Sequence, residues 1–256
     1  MSDTRDTGKI RLLRQSDAYW RVTIDLPPLD IFGPANIPQL EEVVSSLEKD
    51  DQVKVVVLDS AVEGFFLTRY DFLAKPEHSA KFPVGRTGLQ TLPDMFARIS
   101  RAPVASISLI RGHATGVGSE LALASDVRFA SREKAILSQW EGGAGLVPGG
   151  GPMARLPRLI GRGRALEVLS GADDINGDLA ELYGYVNRSL PDAELDAFVD
   201  RLATRIASFD KPAIADTKRL VNINSLPSDA EIAPEWERLH CFTGPPRGTS
   251  PHSDSV

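Results

Sequence analysis

The 256-residue chain has a single cysteine, Cys241, and only four histidines, His78, His113, His240 and His252. A lone thiol excludes an intrachain disulfide and a thiolate zinc cage, and is weak ground for a nucleophile. The histidines are scattered, with no HExxH-like spacing, so no metal centre is expected. Positive charge is also scarce relative to negative. The formal net charge is −6 and no basic stripe tracks along the chain, so nucleic acid is not an expected partner. Long apolar runs are missing too. Nothing reaches the roughly 18 residues of a membrane span, and MSDTRDTGKIRLLR has no apolar stretch of signal-peptide length, so no membrane partner and a cytoplasmic location are expected.

What is present is an ordinary globular balance, 42% hydrophobic and 25% charged, enough for one substantial core. Residues 10 to 26 alternate at period two around a polar break at Gln15–Asp17, which predicts a hairpin. Leu40, Val43, Val44 and Leu47 then recur at helical spacing, and VKVVVLDS follows as a short, continuously apolar strand buried on both faces. Strand, helix and strand in this order predict a right-handed crossover and a parallel sheet.

The unit repeats with a helix over Leu89–Arg101, the strand VASISLI, glycines at 112, 116 and 118, the helix SELALASD and the strand VRFAS. Helices are expected over Pro152–Leu159, Gly163–Ser170, Gly177–Tyr183, Ala193–Ser208 and Pro212–Asn222, with YVNRSLP as a last strand. The ending GPPRGTSPHSDSV is Pro/Ser/Gly-rich and reads as disordered. The fold class is therefore α/β with a parallel core and a helical C-terminal third.

Two segments could carry chemistry. RGHATGVGSELALASD, residues 111–126, runs a strand through glycines into a helix, which aims free N–H groups and a helix N-terminus at one spot where an oxyanion would be stabilised. Glu120 falls in the first turn of that helix. The same pattern also suits a tight strand-to-helix turn with a favourably placed acid. SQWEGGAGLVPGGG, residues 138–151, sets a second acid, Glu141, beside another glycine loop. Two carboxylates near an anion-stabilising turn suit the addition of water to an activated double bond, one as base and one as acid.

His113 could serve as an acid/base group or as a packing residue, and Arg111 could bind an anion or pair with a carboxylate. Trp140 and Tyr70 could wall a pocket or belong to the core. Arg155, Arg158, Arg162 and Arg164 are expected to form a solvated face.

In the order and spacing of VKVVVLDS, EGFFLTRYDF, APVASISLIRGHATGVGSELALASDVRFAS, QWEGGAGLVPGGGPMARLPRLIG and GRALEVLSGADDINGDLAELYGYVNRSLPDAEL, the chain resembles the crotonase (enoyl-CoA hydratase/isomerase) superfamily over roughly residues 10–225. The resemblance implies a spiral core of ββα units over 1–192, a C-terminal helical oligomerisation region over 193–242, and leaves 243–256 as the tail. It implies an oxyanion hole from the backbone N–H groups of Tyr70 and Val117, with Glu120 and Glu141 as catalytic residues.

Thr68, His113, Gly116 and Trp140 are further candidates for the substrate pocket. The implied activity is hydration of a 2-enoyl thioester, with coenzyme A arriving as part of the substrate and no other cofactor or metal. Isomerisation, retro-aldol lysis or carbon–carbon hydrolysis on another substrate, and a non-catalytic scaffold, are the alternatives. A homotrimer or hexamer is the implied assembly.

Overall fold

The computed structural model describes residues 8–241 except 72, 76 and 79–81; the expected disordered tail and the side chain of Cys241 lie outside the described residues. The hairpin forms as β1 (Lys9–Arg14) and β2 (Tyr19–Asp25), antiparallel with Lys9 opposite Asp25 and Arg14 opposite Trp20. α1 (Ile37–Lys49) leads into β3 (Val55–Ser60), then β4 (Phe65–Leu67), α2 (Thr91–Arg101) and β5 (Ala105–Ile110). Next come β6 (His113–Thr115), α3 (Val117–Ala124), β7 (Val127–Ser131), β8 (Ile136–Ser138) and a 3-10 turn over Trp140–Ala144. α4 (Pro152–Ile160), α5 (Arg162–Gly171), β9 (Ile175–Asn176), α6 (Gly177–Tyr183) and β10 (Arg188–Leu190) follow. The chain then becomes helical through α7 (Asp192–Ala207), α8 (Lys211–Ser225) and α9 (Asp229–Cys241).

The main sheet has the order β1-β2-β3-β5-β7-β10, and every pairing after the hairpin is parallel. This is the expected α/β architecture, and the continuous apolar run of β3 has the expected cause. Val55 and Val57 project into one core with Tyr19, Ile107, Leu109 and Phe129, closed by Leu195, Val199 and Ala203 of α7. Val56 and Leu58, one residue out of phase, face the other core with residues of α1, α2 and α3.

A second sheet, β4-β6-β8-β9, was not anticipated from the sequence. Its strands are two or three residues long, too short for alternation to register, and they sit in segments that read as glycine-rich loops. Helix α9 lies inside the 193–242 stretch expected to be helical, although no separate helix was predicted over it, and it runs on through Pro234. Both features matter: β6 leads into α3, which carries Glu120, β8 leads into the turn that carries Glu141, and α9 packs on the loop at Gly149.

Candidate active site

Strand β6 ends at Thr115, and the chain turns through Gly116 into α3. Gly116 adopts φ 53°, a conformation that side chains rarely tolerate, and a Cβ there would lie 2.7 Å from Trp140 Nε1 and 2.9 Å from Glu141 Oε1. The glycine therefore lets Glu141 and Trp140 close on the start of α3. Gly116 donates its N–H to the Ser138 carbonyl at 3.0 Å, which ties β6 to the strand leading into the Glu141 turn.

The other side of the helix start is held by β4. Gly118 donates to the Thr68 carbonyl at 3.1 Å, so close that a Cβ on Gly118 would stand 1.7 Å from the Leu67 carbonyl oxygen. Val117 is the first residue of α3 and its N–H has no partner within the helix, as at any helix start. Tyr70 is fixed by a parallel bridge to Phe32, with Phe32 donating to the Arg69 carbonyl at 3.1 Å and Asp71 donating to the Phe32 carbonyl at 2.8 Å. The Thr68 hydroxyl points to the carbonyls of Leu29 and Asp30, at 2.8 and 3.0 Å, fastening the same two segments.

Glu120 and Glu141 are both buried. Gly150 donates its N–H to Glu120 Oε1 at 2.7 Å, and Gly149 donates to the same carboxylate. Burial nevertheless pushes Glu120 above the ordinary carboxylate range, against the pull of those two donors and of the Arg155 charge. Glu141 is pushed up first by burial and then by the charge of Glu120, and its Oε2 has no partner among the described residues. The two carboxyls thus share one desolvated place in which both cannot easily be ionised together.

Thr115, His113, Ser138 and Trp140 line a cavity of about 390 Å³ with Arg69 and Asp174. His113 is half-buried, its ring 5.7 Å from that of Phe65. Tyr70 packs on the core with its ring 6.2 Å from Phe32. Arg111, left open in sequence, pairs with Asp192 and Asp196 of α7, each at 2.8 Å.

One expectation is corrected. Arg158, Arg162 and Arg164 are exposed, but Arg155 is 4% exposed and donates to Ser100 Oγ at 2.9 Å. Its place on the inward face of α4, with the buried Pro152 and Leu156, is what the charge pattern concealed.

Sequence reasoning also missed Gly149 and Gly150 as donors to Glu120. The signal was present in the PGGG run. A Cβ on Gly150 would stand 2.3 Å from Glu120 Oε2, so only glycine lets that backbone reach the carboxylate.

Repeated strand-to-helix units, a parallel sheet with a smaller companion and two buried carboxyls at one glycine turn define an α/β enzyme of crotonase type. The chain belongs to the enoyl-CoA hydratase/isomerase family, whose model matches residues 15–234. The short-chain-enoyl-CoA hydratase of Clostridium acetobutylicum is 31% identical over 206 residues, 78% of this chain and 76% of that protein. The mouse enoyl-CoA hydratase domain-containing protein 2, mitochondrial, is 36% identical over 162 residues, 63% of this chain and 54% of that protein, so the match spans about half the length of that relative.

Among solved structures, a candidate enoyl-CoA hydratase from Streptomyces avermitilis superposes with a TM-score of 0.85 at 39% identity, covering 92% of this chain and 84% of that one. An enoyl-CoA hydratase from Mycobacterium avium subsp. paratuberculosis gives a TM-score of 0.80 at 25% identity, covering 92% and 94%.

Proposed function

We propose that the protein hydrates a 2-enoyl thioester, with coenzyme A as part of the substrate. The observation that carries this reading is the pair of buried carboxyls, Glu120 and Glu141, each held above the ordinary carboxylate range at the turn that opens α3. Backbone N–H groups of Tyr70 and Val117 hold the thioester oxygen as negative charge develops on it. One ionised glutamate takes a proton from water as the oxygen adds to the β-carbon. The other, kept protonated by its neighbour's charge, supplies the proton to the α-carbon.

Substrate specificity is set around Gly116 and Trp140, with Thr68 and His113 on its margins. The reaction needs no metal, and a cytoplasmic setting fits the small-molecule substrate. No helix among the described residues is long and apolar enough to cross a membrane.

Residues 193–242 form the oligomerisation region of a homotrimer or hexamer in this reading. Leu220, Val221 and Ile223 of α8 are 54%, 58% and 69% exposed, an apolar run that a second copy would cover. The test of function is loss of the conjugated thioester absorbance on addition of protein to a short 2-enoyl-CoA. Turnover that falls by roughly 10²-fold or more in both Glu120→Gln and Glu141→Gln is expected. No turnover by the wild-type protein on any enoyl-CoA would remove the hydratase reading.

A further inference from the structure

A third buried glutamate stands outside the pair described above. Glu235, in the middle of α9, is 4% exposed and comes from the last described helix of the chain, which packs on α4. It accepts the N–H of Ala154 at 2.8 Å and that of Met153 at 3.4 Å, and the N–H of Gly151 as well. These are donors at the open N-terminus of α4, so Glu235 caps that helix from another element.

The same stretch of backbone serves Glu120. Gly149 and Gly150 give their N–H groups to Glu120, and from Gly151 onward, where φ is 102°, the donors turn to Glu235. Residues 149–154 are thus divided between two buried carboxylates. The rest of α9 moulds the same loop. A Cβ on Gly149 would meet Leu239 at 2.9 Å and Trp236 at 3.2 Å, and one on Gly151 would meet Ile232 at 3.7 Å. Arg155, on the first turns of α4, supplies a buried positive charge that acts on both Glu235 and Glu120.

We propose that Glu235 is a positioning residue for Glu120: by capping α4 it holds the Gly149 and Gly150 N–H groups in line with the Glu120 carboxylate, so that seating of α9 sets the orientation of that carboxylate toward substrate. This rests on the hydratase reading only for the part of the test that measures turnover. The charged groups facing Glu235 are Glu120 from α3 and Arg155 from α4, and the outer pair Arg158–Glu231 at 2.7 Å fastens α4 to α9 nearer solvent. Burial and the Glu120 charge hold Glu235 itself at about 8.

The experiment compares Glu235→Ala with Glu235→Gln in the full chain. Both remove the ionisable carboxyl, but Gln keeps an acceptor oxygen at the same reach. On a short enoyl-CoA, Glu235→Ala is expected to lower kcat by about 10-fold or more with KM changed by less than about 3-fold, and Glu235→Gln to recover most of the loss. In a Glu120→Gln background, Glu235→Ala should cause little further loss, because the residue it orients has already been disabled. Equal losses in the two backgrounds would overturn the proposal.

A second readout needs no substrate. With 13C-labelled glutamate carboxyls, and the Glu120 signal assigned by its disappearance in Glu120→Gln, the Glu120 midpoint should lie at least about half a unit higher in Glu235→Ala than in Glu235→Gln, since misaligned donors no longer favour the anion. Coincident midpoints would overturn positioning. A wild-type protein without hydratase activity whose midpoints still separate would instead sink the proposed reaction and leave the positioning intact.

Discussion

The Thr68 carbonyl accepts the N–H of Gly118 at 3.1 Å, while the Thr68 N–H is given to the Asp30 carbonyl at 2.9 Å. One residue therefore joins three segments: the loop after β2, the end of β4 and the first turn of α3. Tyr70 lies two residues beyond Thr68, and Val117 lies one residue before Gly118. The separation of the two backbone N–H groups proposed for the oxyanion hole is consequently fixed by bonds that no side chain in the hole has to make. That accounts for how Tyr and Val can stand at positions whose contribution is a backbone donor.

Gly118→Ala tests this joint. Its new Cβ would sit 1.7 Å from the Leu67 carbonyl oxygen and 2.4 Å from the Leu67 carbonyl carbon, both backbone atoms that cannot swing aside. Separating β4 from α3 is the only relief, at a cost of roughly 3 kcal/mol or more. Urea denaturation should show that loss. An alanine variant of wild-type stability would mean that β4 and α3 are not packed this closely.

The elevated Glu120 and Glu141 carboxyls make a prediction about rate against pH. Both are raised chiefly by burial, and Glu141 additionally by its neighbour's charge. Hydration should need one carboxyl ionised and one protonated, so kcat/KM should fall on the acid side at a pH well above the usual glutamate value of about 4.3. On the alkaline side it should fall as the second carboxyl ionises. Glu120→Gln should move the Glu141 midpoint downward, because the like charge that helps to raise it is gone. An acid limb at ordinary carboxylate pH would contradict the shared-burial picture.

The main sheet was legible because its signals are dense: β3 is an unbroken apolar run and α1 shows a clean helical stripe at Leu40, Val43, Val44 and Leu47. Glu120 and Glu141 were legible because each lies beside a glycine cluster. The companion sheet was not, since His113–Thr115 and Ile136–Ser138 are too short for a period to emerge and are held by neighbours distant in sequence. Arg155 and Glu235 were hidden for a different reason. Charged residues on amphipathic helices read as solvent-facing, and only the tertiary packing of α4 on α9 turns these two inward.

The Arg98 cluster gives a prediction remote from the chemistry. Arg98 is 6% exposed and its guanidinium bonds Glu41 at 2.7 Å, Glu48 at 2.8 Å and Asp94 at 3.2 Å, clamping α1 to α2. Glu48 is held below its usual range, where the Arg98 bond and charge outweigh burial. Arg98→Met would leave Asp94, which is more deeply buried than Arg98, with only its Thr87 donors and no compensating charge, and should cost about 3 kcal/mol in urea unfolding. The partial exposure of Glu41 and Glu48 keeps the cost at the lower end. A neutral effect would mean that the clamp contributes no net stability.

Asp30 offers a substitution expected to stabilise. It is fully buried at φ 47°, and burial raises its carboxyl to about 6 despite bonds from the Leu26 N–H at 2.8 Å and the Ser60 hydroxyl, with Asp25 adding a smaller push in the same direction. The unfolded chain ionises near 3.9, so the folded state holds the proton more tightly. Stability from this group is therefore full below about pH 4 and is lost as pH rises through about 6, a deficit on the order of 2–3 kcal/mol at neutrality. Asn cannot ionise, tolerates positive φ better than most residues, and keeps an oxygen for Leu26. Its amide can donate to Ser60 Oγ, whose hydroxyl already lies 3.4 Å from the Val62 carbonyl. Thermal melts of Asp30→Asn and wild type should coincide in acid and diverge as pH rises to neutrality, with the variant higher; parallel curves would show that the Asp30 carboxyl does not carry a raised pKa in the folded protein.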